Sequence, residues 1–299
     1  MRELLINFAF DSSNSVVFAK DAIKGILYKC PECGEELVFK SSGNTGPGSR
    51  RPHFAHKVGA GSNCTPESML HSAFKIKTAE ILQEKINNGC KEFILNWKCK
   101  ECNKSYEGNL LFMAKDVKVE LDLGVCRPDI ALLDASGKVI IAIEIVNTHY
   151  PEEDVLKYYR NNGIVLIQYN VAEDDLHDIE GKLHNPDNVS LCLDLKCKES
   201  KSTLLHRTVI QRNFECIRCH RVFQGYIAVV FTVLGHNLFS NFSNSDVDYL
   251  NNNGVDLRGF FPQSVIIAGK SFLAMVPNCN CTPKLIMQFP RPVRRSRRF

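Results

Sequence analysis

Two apolar, β-branched runs lie close together in the middle of the chain, separated by a short turn. The first runs from Pro128 to Leu133 and the second from Lys138 to Val146, with Asp134-Ala-Ser-Gly137 between them. Short apolar runs on either side of a turn that ends in glycine predict a β-hairpin. An acidic helix start at Pro151 and a further apolar run from Ile164 to Tyr169 follow. This order of strand, helix and strand predicts a mixed α/β core.

Each strand of the predicted hairpin carries one acidic residue among its aliphatic residues. Asp129 opens the first strand and Glu144 lies near the end of the second, so the hairpin brings both carboxylates to the same end. Hard cations such as Mg²⁺ and Mn²⁺ bind one or two protein carboxylates together with water and substrate phosphates. The pair therefore predicts a divalent-metal site, and a charge at each strand end is the simpler interpretation.

At these residues the sequence resembles the PD-(D/E)XK nuclease superfamily and, within it, the competence protein CoiA-like family. Pro128-Asp129 stands at the PD position, and Glu144-Ile145-Val146 stands at the (D/E)XK position. Upstream, Glu67-Ser-Met-Leu-His71-Ser-Ala-Phe-Lys75 resembles the E-S-x-x-H-x-x-x-K helix of the family. Val146 departs from the motif, because valine has no group that positions or activates a water molecule as the motif lysine does.

The resemblance implies an α/β (α+β) fold on a restriction-endonuclease-like core with the element order αβββαβ. It also implies a metal-dependent nuclease that hydrolyses phosphodiester bonds of nucleic acid, expected to be DNA. Asp129 and Glu144 are then the ligands of Mg²⁺ or Mn²⁺. Glu120, on the preceding strand, resembles the acidic residue found before the PD position in CoiA-like sequences. A charge on an edge strand near Lys118 explains Glu120 equally simply.

Because Val146 replaces the motif lysine, another group must orient the attacking water, and the candidates are His71, Lys75 and His149. His71 and Lys75 lie four residues apart in a helix predicted from Pro66 to Ile86, so they share one face. A solvated polar stripe has the same spacing. The alternative function is a nucleic-acid-binding protein with a degenerate, inactive nuclease core, which Val146 favours and the retained carboxylates disfavour.

Thirteen cysteines indicate either disulfides or bound metal, and their spacing favours zinc. Eight of them form CxxC or CxC pairs in a chain with no predicted secretion signal. The first pair, Cys30 and Cys33, needs two more ligands, and His53, His56 and Cys64 are available. Histidines three residues apart on an extended strand face opposite ways, so His56 with Cys64 is the favoured choice. This region resembles the N-terminal zinc element of CoiA-like proteins.

A second cysteine pattern occurs twice in the chain. Residues 97–108 (WKCKECNKSYEG) align with residues 214–225 (FECIRCHRVFQG), sharing two aromatic positions, CxxC and glycine. The repeat predicts two ribbon-type zinc knuckles. The ligands expected are Cys99, Cys102, Cys192 and Cys197 for the first copy, and Cys216, Cys219, Cys279 and Cys281 for the second. Cys90 and Cys126 are alternatives in the first copy, and buried free thiols are the simpler interpretation. Two or three structural zinc ions are expected.

These features divide the chain into three predicted parts: a zinc element at 1–66, a nuclease-like core with an inserted knuckle at 67–200, and a β-rich zinc-ribbon domain at 201–299. Residues 171–200 are polar and are predicted to connect outward from the core. In the last part, Phe223 to Gly235 and Val265 to Met275 are predicted strands, separated by a polar segment from Asn241 to Asn253.

Basic residues are concentrated at the end of the chain. The net charge is +4, and residues 291–299 contain five arginines and no acid, so the rest of the chain is close to neutral. Such a tail predicts sequence-independent phosphate contacts, and a solvated tail without a partner fits equally well. No apolar run approaches the roughly 18 residues of a membrane span and no signal peptide is apparent. A cytoplasmic protein without membrane contacts is therefore expected.

Overall fold

The computed structural model describes residues 5–41, 51–57, 63–146, 150–194, 197, 206–267, 269–281 and 287–288. Within these ranges the protein is a mixed α/β structure with several sheets and few helices, which confirms the predicted class at this level. The chain forms two compact units, Met1–Thr203 and Leu204–Phe299. The predicted boundary at residue 66 falls inside the first unit and stays a prediction. In the described part of the chain, no helix combines the length and apolarity needed to cross a bilayer.

The first unit begins with a small five-stranded sheet. Its strands are β1 (Phe8–Phe10), β2 (Val16–Phe18), β3 (Tyr28–Lys29), β4 (Glu36–Lys40) and β5 (His53–His56), in the order β2-β1-β3-β4-β5. An isolated bridge between Ile6 and Phe54 brings β5 back beside the start of β1. The rings of Tyr28, Phe39 and Phe54 pack against one another, so apolar burial stabilises this short-stranded sheet.

Helix α1 (Pro66–Asn87) follows, as the apolar spacing predicts. Thr65 is its N-cap and forms a capping box with Ser68, and Pro66 occupies the first turn, where a missing N–H is harmless. The helix buries Met69, Phe74 and other apolar side chains. A hairpin, β6 (Ile94–Lys98) and β7 (Ser105–Asn109), separates α1 from the main sheet in sequence.

The main sheet of the first unit has the order β12-β11-β10-β9-β8. Its strands are β8 (Asp116–Val119), β9 (Ile130–Leu133), β10 (Val139–Val146), β11 (Val165–Asn170) and β12 (Asn188–Val189). Only β10 and β11 pair in parallel, and helix α2 (Glu153–Asn162) connects them and ends at the left-handed Gly163. Nearly every side chain of β9, β10 and β11 is buried. Burial of successive side chains along a strand means that both faces of the sheet are covered by other parts of the protein.

The expectation that residues 171–200 connect outward is wrong for the described residues among them. A 3₁₀ turn (Glu173–His177), helix α3 (Ile179–Leu183) and strand β12 fold back along the sheet. Leu176, Ile179 and Leu183 are buried. The segment is polar on average, but its few apolar residues are spaced so that they share one face, which packs on the core. The spacing of the apolar residues, rather than the average polarity, therefore determines where the segment lies.

The second unit is built on a six-stranded sheet with the order β13-β18-β16-β17-β14-β15, in which β13 also pairs with β14 and closes the sheet on itself. The elements are β13 (His206–Cys216), β14 (Val222–Phe231), β15 (Asn237–Ser240), α4 (Asn244–Asn252), β16 (Phe260–Ile267), β17 (Lys270–Pro277) and β18 (Met287–Gln288). The side chains of Phe214, Ile227, Val265 and Val276 form its buried centre.

Two expectations for this unit need correction. The polar segment Asn241 to Asn253 contains helix α4, which is fixed because Arg207 donates two hydrogen bonds to the buried Asp246 carboxylate. The run from Val265 to Met275 is two strands, since the chain reverses at Gly269, which has a φ of +77°. A left-handed glycine inside an apolar run is the signal for such a turn.

Candidate active site and zinc clusters

An open cleft of about 800 Å³ lies where α1 meets the ends of β9 and β10 in the first unit. Strand β10 supplies Glu144, the residue before β9 is Asp129, and Glu120 directly follows β8 rather than lying within it. The polar side chains that line the cleft are Glu32, Thr65, Glu67, Ser68, His71, Ser72, Lys75, Glu120, Arg127, Asp129, Glu144 and Tyr150. The sheet register and one helix face thus bring five predicted site residues together.

Asp129 is held by hydrogen bonds from two different elements. Its Oδ2 accepts the backbone N–H of Ile145 at 2.9 Å and a hydrogen bond from His71 Nε2 at 3.0 Å. In this contact the carboxylate oxygen is the acceptor and His71 Nε2 is the donor. The second oxygen, Oδ1, lies 3.8 Å from Lys75 Nζ. Asp129 is therefore fixed through one oxygen, and its other oxygen faces the cleft cation.

Lys75 is the main buried cation of the cleft. The residue is only 7% exposed, and its Nζ lies 2.5 Å from Glu120 Oε1. The hydrogen bond and charge of Lys75 lower the pKa of Glu120. Glu120 also has a φ of +49°, a left-handed conformation that is unfavourable for a residue with a side chain. Non-glycine residues in this conformation cluster at functional sites, where surrounding contacts hold them in place.

Glu144 is in a very different environment from Asp129. Burial, together with the charge of Asp129, raises its pKa from 4.5 to about 7, although the Tyr159 hydroxyl opposes the shift by donating to Oε1 at 2.8 Å. A hydrogen bond with the Asp129 side chain also favours the protonated form. Burial and the neighbouring Asp129 carboxylate therefore both disfavour ionisation of Glu144.

The donor set suits a hard divalent cation. Asp129 and Glu144 are adjacent, partly desolvated carboxyl groups that repel each other when both are ionised, and a bound Mg²⁺ or Mn²⁺ removes that repulsion. Tyr159 and the Ile145 N–H each engage one oxygen of the pair and so orient it. The paired carboxylate oxygens distinguish this site from the zinc clusters, in which thiols predominate.

Three residues qualify the sequence prediction. Val146 lines the cleft, is 3% exposed and offers only methyl groups, as the sequence indicates. His149, a candidate for orienting water, lies outside the described residues. Tyr159 was not predicted, because nothing in the sequence distinguishes it from Tyr158; only the helix orientation sends its hydroxyl to Glu144.

Glu32 is a second cleft residue that the sequence did not identify. It lies between Cys30 and Cys33, so its position in the sequence suggests only a zinc turn. In the structure it lines the cleft and accepts a hydrogen bond from the Ser72 hydroxyl at 2.8 Å.

The first cysteine cluster contains Cys30, Cys33, His56 and Cys64, whose ligand atoms all lie within 4.8 Å of one another. Cys33 Sγ and His56 Nε2 are 3.4 Å apart. His53, the other candidate, is outside this group, and its Nδ1 donates to the Arg51 carbonyl at 2.9 Å. Three thiols and one imidazole at this spacing form a closed set of four ligands for zinc.

The second cluster combines the knuckle between β6 and β7 with two cysteines that follow β12. Its members are Cys99, Cys102, Cys192 and Cys197. The Sγ atoms of Cys99 and Cys197 are 3.8 Å apart, and those of Cys102 and Cys192 are 3.6 Å apart. Four sulfurs at about 2.3 Å from zinc in a tetrahedron are about 3.8 Å from one another, so these distances fit the metal.

Cys90 and Cys126, the alternatives considered for the second cluster, lie elsewhere. The Cys90 thiol donates to the Glu92 carbonyl at 3.2 Å. Cys126 lines the cleft, where burial raises the pKa of its thiol. Neither belongs to a metal-sized group in the described part of the chain.

The third cluster lies in the second unit and contains Cys216, Cys219 and Cys281. Cys279 falls outside this strict group of three, yet its Sγ lies 3.6 Å from that of Cys216. Cys279 is therefore the candidate for a fourth sulfur ligand. The backbone N–H groups of Cys219 and Arg218 lower the pKa of Cys216 to about 7 against the effect of burial, which favours the thiolate that zinc requires.

The knuckles of all three clusters have the same backbone turn. The residue after the second cysteine is left-handed in each, with φ values of +75°, +59° and +56° at Gly34, Asn103 and His220. Its N–H donates to the carbonyl of the first cysteine at 2.8–2.9 Å in every case. The flanking strands of the two repeats also share a register, since Trp97 pairs with Tyr106 and Phe214 with Phe223.

The described residues therefore contain three groups of side chains that can hold structural zinc, and one acidic cleft with a buried lysine. Comparison with protein-family models, curated proteins and solved structures gave no significant match.

Proposed function

We propose that this protein is a metal-dependent nuclease that hydrolyses phosphodiester bonds of nucleic acid, expected to be DNA. The observation that carries the proposal is the convergence of Asp129 and Glu144 with Lys75 in one open cleft. Paired carboxylates next to a buried cation are the groups that phosphodiester hydrolysis needs to hold a metal and neutralise the reacting phosphate.

The fold supports the same proposal. Leaving aside the inserted hairpin β6–β7, the elements of the first unit run α1, β8, β9, β10, α2, β11, which is the αβββαβ order implied by the resemblance to PD-(D/E)XK nucleases. Strands β9 and β10 are antiparallel, and β10 and β11 are parallel. Asp129 directly precedes β9 and Glu144 lies in β10, and the resemblance implies the PD and (D/E)XK motifs at these two residues.

The charges of the cleft explain why a metal is needed. Its lining includes Glu32, Glu67, Glu120, Asp129 and Glu144, against Lys75 and Arg127 as permanent cations. Without a metal, this balance repels a phosphate backbone. Mg²⁺ or Mn²⁺ bound by Asp129 and Glu144 would polarise the phosphodiester and lower the pKa of a bound water.

The side chains of the cleft have distinct roles in the proposed reaction. Asp129 and Glu144 hold the cation, while His71 and the Ile145 N–H orient Asp129. Lys75 supplies the positive charge that Val146 cannot, and Glu120 holds the Lys75 ammonium group in place. Positive charge directed at the reacting phosphate stabilises the charge that develops in the transition state.

A nucleic-acid-binding protein with an inactive core is the second candidate, and Val146 favours it. In that case the protein binds nucleic acid, and the Asp129–Glu144 pair has no chemical role. The half-buried, mutually repelling carboxylates argue against this candidate, because desolvating two neighbouring acidic groups costs free energy that an inactive core has no reason to retain.

A cleavage assay separates the two candidates. Wild-type protein with Mg²⁺ or Mn²⁺ is expected to cleave nucleic acid, tested on single- and double-stranded DNA and on RNA. Glu144→Gln preserves the side-chain shape and should abolish cleavage, as should Asp129→Ala. Glu84→Gln, at an exposed position on α1, is the matched control and should retain full activity. Binding without cleavage above the Glu144→Gln level with either metal would establish the inactive-core candidate instead.

A further inference from the structure

The first zinc cluster is attached directly to the helix that carries His71 and Lys75. Cys64, one of its ligands, immediately precedes Thr65, the N-cap of α1. The capping box fixes the first turn, because Ser68 N–H donates to Thr65 Oγ1 at 3.0 Å and Thr65 N–H donates to Ser68 Oγ at 3.0 Å. A metal bound to Cys64 therefore restrains the start of α1.

A second attachment is made within the helix. Glu32, between the two knuckle cysteines, accepts a hydrogen bond from the Ser72 hydroxyl at 2.8 Å. Ser72 is 9% exposed and directly follows His71. Leaving a buried hydroxyl without a hydrogen-bond partner costs free energy. The hydrogen bond therefore stabilises the knuckle and this turn of α1 in their observed relative positions.

These two attachments lie on the same helix as the groups that contact Asp129. His71 Nε2 is 3.0 Å from Asp129 Oδ2, and Lys75 Nζ is 3.8 Å from Asp129 Oδ1. A shift of α1 along or about its axis changes both distances at once. Even a small displacement of the groups that hold a metal-binding carboxylate changes how well that carboxylate is oriented for the metal.

We propose that Glu32 is a positioning residue of the cleft, through which zinc in the first cluster holds Ser72 and thereby keeps His71 and Lys75 aligned on Asp129. The zinc element is then a structural part of the active site rather than a separate module. This inference rests on the proposed function for its link to catalysis, and on the hydrogen bonds above for its geometry.

Four variants test the role of Glu32. Glu32→Ala and Ser72→Ala each remove the hydrogen bond, Glu32→Gln keeps an acceptor oxygen without the charge, and Glu35→Ala is the control at an exposed position of the same knuckle. The readouts are Mn²⁺ affinity, measured by electron paramagnetic resonance, and the His71 ring chemical shifts at fixed pH in histidine-labelled protein, assigned with His71→Gln.

Glu32→Ala and Ser72→Ala are each expected to weaken Mn²⁺ binding by about tenfold. This is the lower end of the effect expected for residues that do not contact a metal ligand themselves but support the residues that do. Both should shift the His71 resonances in the same way, and the double variant should add nothing, since one hydrogen bond is removed only once. Glu32→Gln should stay within about twofold of wild type, and Glu35→Ala should match wild type.

Two results would overturn the inference. If Glu32→Gln weakens Mn²⁺ binding as much as Glu32→Ala, the charge of Glu32 acts directly on the metal. If Glu32→Ala lowers the unfolding temperature but leaves Mn²⁺ affinity and the His71 resonances unchanged, the contact is only structural. Failure of the proposed function has a different signature, because wild type would then not cleave with either metal, whereas the His71 shifts would still report the positioning.

The role of zinc itself is tested with Cys33→Ser and Cys219→Ser, which change the second cysteine of equivalent knuckles in the first and second units. Each should lose one zinc. Only Cys33→Ser should shift the His71 resonances and weaken Mn²⁺ binding in protein that remains folded by circular dichroism. Equal effects of both variants would contradict the inference, and if Cys33→Ser fails to fold, Glu32→Ala and Ser72→Ala decide the question.

Discussion

Glu144 is a single residue whose protonation links stability to the proposed function. Its pKa is raised by burial from 4.5 to about 7, so between these pH values the folded protein holds a proton that the unfolded chain has released. The free energy of unfolding of the metal-free protein therefore falls as pH rises through this window. At about 1.4 kcal/mol per pKa unit, the cost of ionised Glu144 is about 3 kcal/mol above pH 7.

Glu144→Gln is expected to stabilise the first unit at pH 8 by up to about 3 kcal/mol, with little effect at pH 5, where Glu144 is already protonated. The amide retains an acceptor for Tyr159 and a donor toward Asp129. Unfolding of this unit is followed by fluorescence of Trp97, the single tryptophan of the chain. The buffer contains neither chelator, which would remove zinc, nor Mg²⁺ or Mn²⁺. Equal stabilisation at both pH values would contradict this assignment.

Lys75 is expected to contribute to catalysis through its charge. Lys75→Met keeps a long apolar side chain and removes the cation that faces Glu120 and Asp129. Cleavage should fall by about 10²-fold or more, whereas Mn²⁺ binding should be unchanged or tighter, because a positive charge near the metal is lost. Lys77→Met is the control on the same helix, where Lys77 pairs with Glu80. If Lys75→Met cleaves normally, Lys75 does not have this role, and His149 is the next residue to test.

At the scale of secondary structure elements, a single turn recurs in three different settings. In each knuckle a CxxC pair is followed by a left-handed residue whose N–H donates to the first cysteine. Glycine is present at only one of the three positions; Asn103 and His220 occupy the others. Asparagine and histidine adopt this left-handed conformation more readily than most residues with a side chain, so the turn does not require glycine.

The zinc clusters are expected to be structural and independent between the two units. Elemental analysis should find three zinc ions per chain, and Cys216→Ser should remove one of them. Because Cys216 is at the buried centre of the second unit, this variant should unfold that unit. The Trp97 fluorescence transition of the first unit should stay unchanged. Disulfide-linked CxxC pairs, or loss of every zinc, would be incompatible with this arrangement.

Local patterns predicted the elements well where the signal was strong. The capped helix α1, the β9–β10 hairpin and the CxxC turns follow from spacing and turn chemistry, which act within a few residues. Helix α4 was missed because its polar sequence has little helical signal, and the Arg207–Asp246 pair that fixes it is distant in sequence. Tyr159 and Glu32 were missed for the same reason, since only tertiary contacts bring them to the cleft.

At the scale of the whole molecule, charge is unevenly distributed among the cysteine knuckles. In the first unit, Lys104 of the knuckle pairs with Asp194. In the second unit the residue equivalent to Lys104 is Arg221. Arg221 and Arg218 of the same knuckle are exposed, and neither forms an ion pair with a residue that the structure describes. The second unit therefore has exposed guanidinium groups in addition to the five arginines of residues 291–299, which lie outside the described residues.

Residues 291–299 are expected to add affinity for nucleic acid without adding sequence preference. Each phosphate that an arginine neutralises releases counterions, so deletion of the segment should flatten the salt dependence of duplex DNA binding by up to about 0.9 per lost contact. Binding to unrelated sequences should weaken by similar factors, and cleavage at saturating substrate should be unaffected. The measurement is binding to several duplexes between low and moderate salt, with Glu144→Gln as the background to prevent cleavage.

Arg218→Ala with Arg221→Ala in the truncated protein then reports the contribution of the second-unit knuckle. An unchanged slope after truncation would mean that the tail is solvated and makes no phosphate contact.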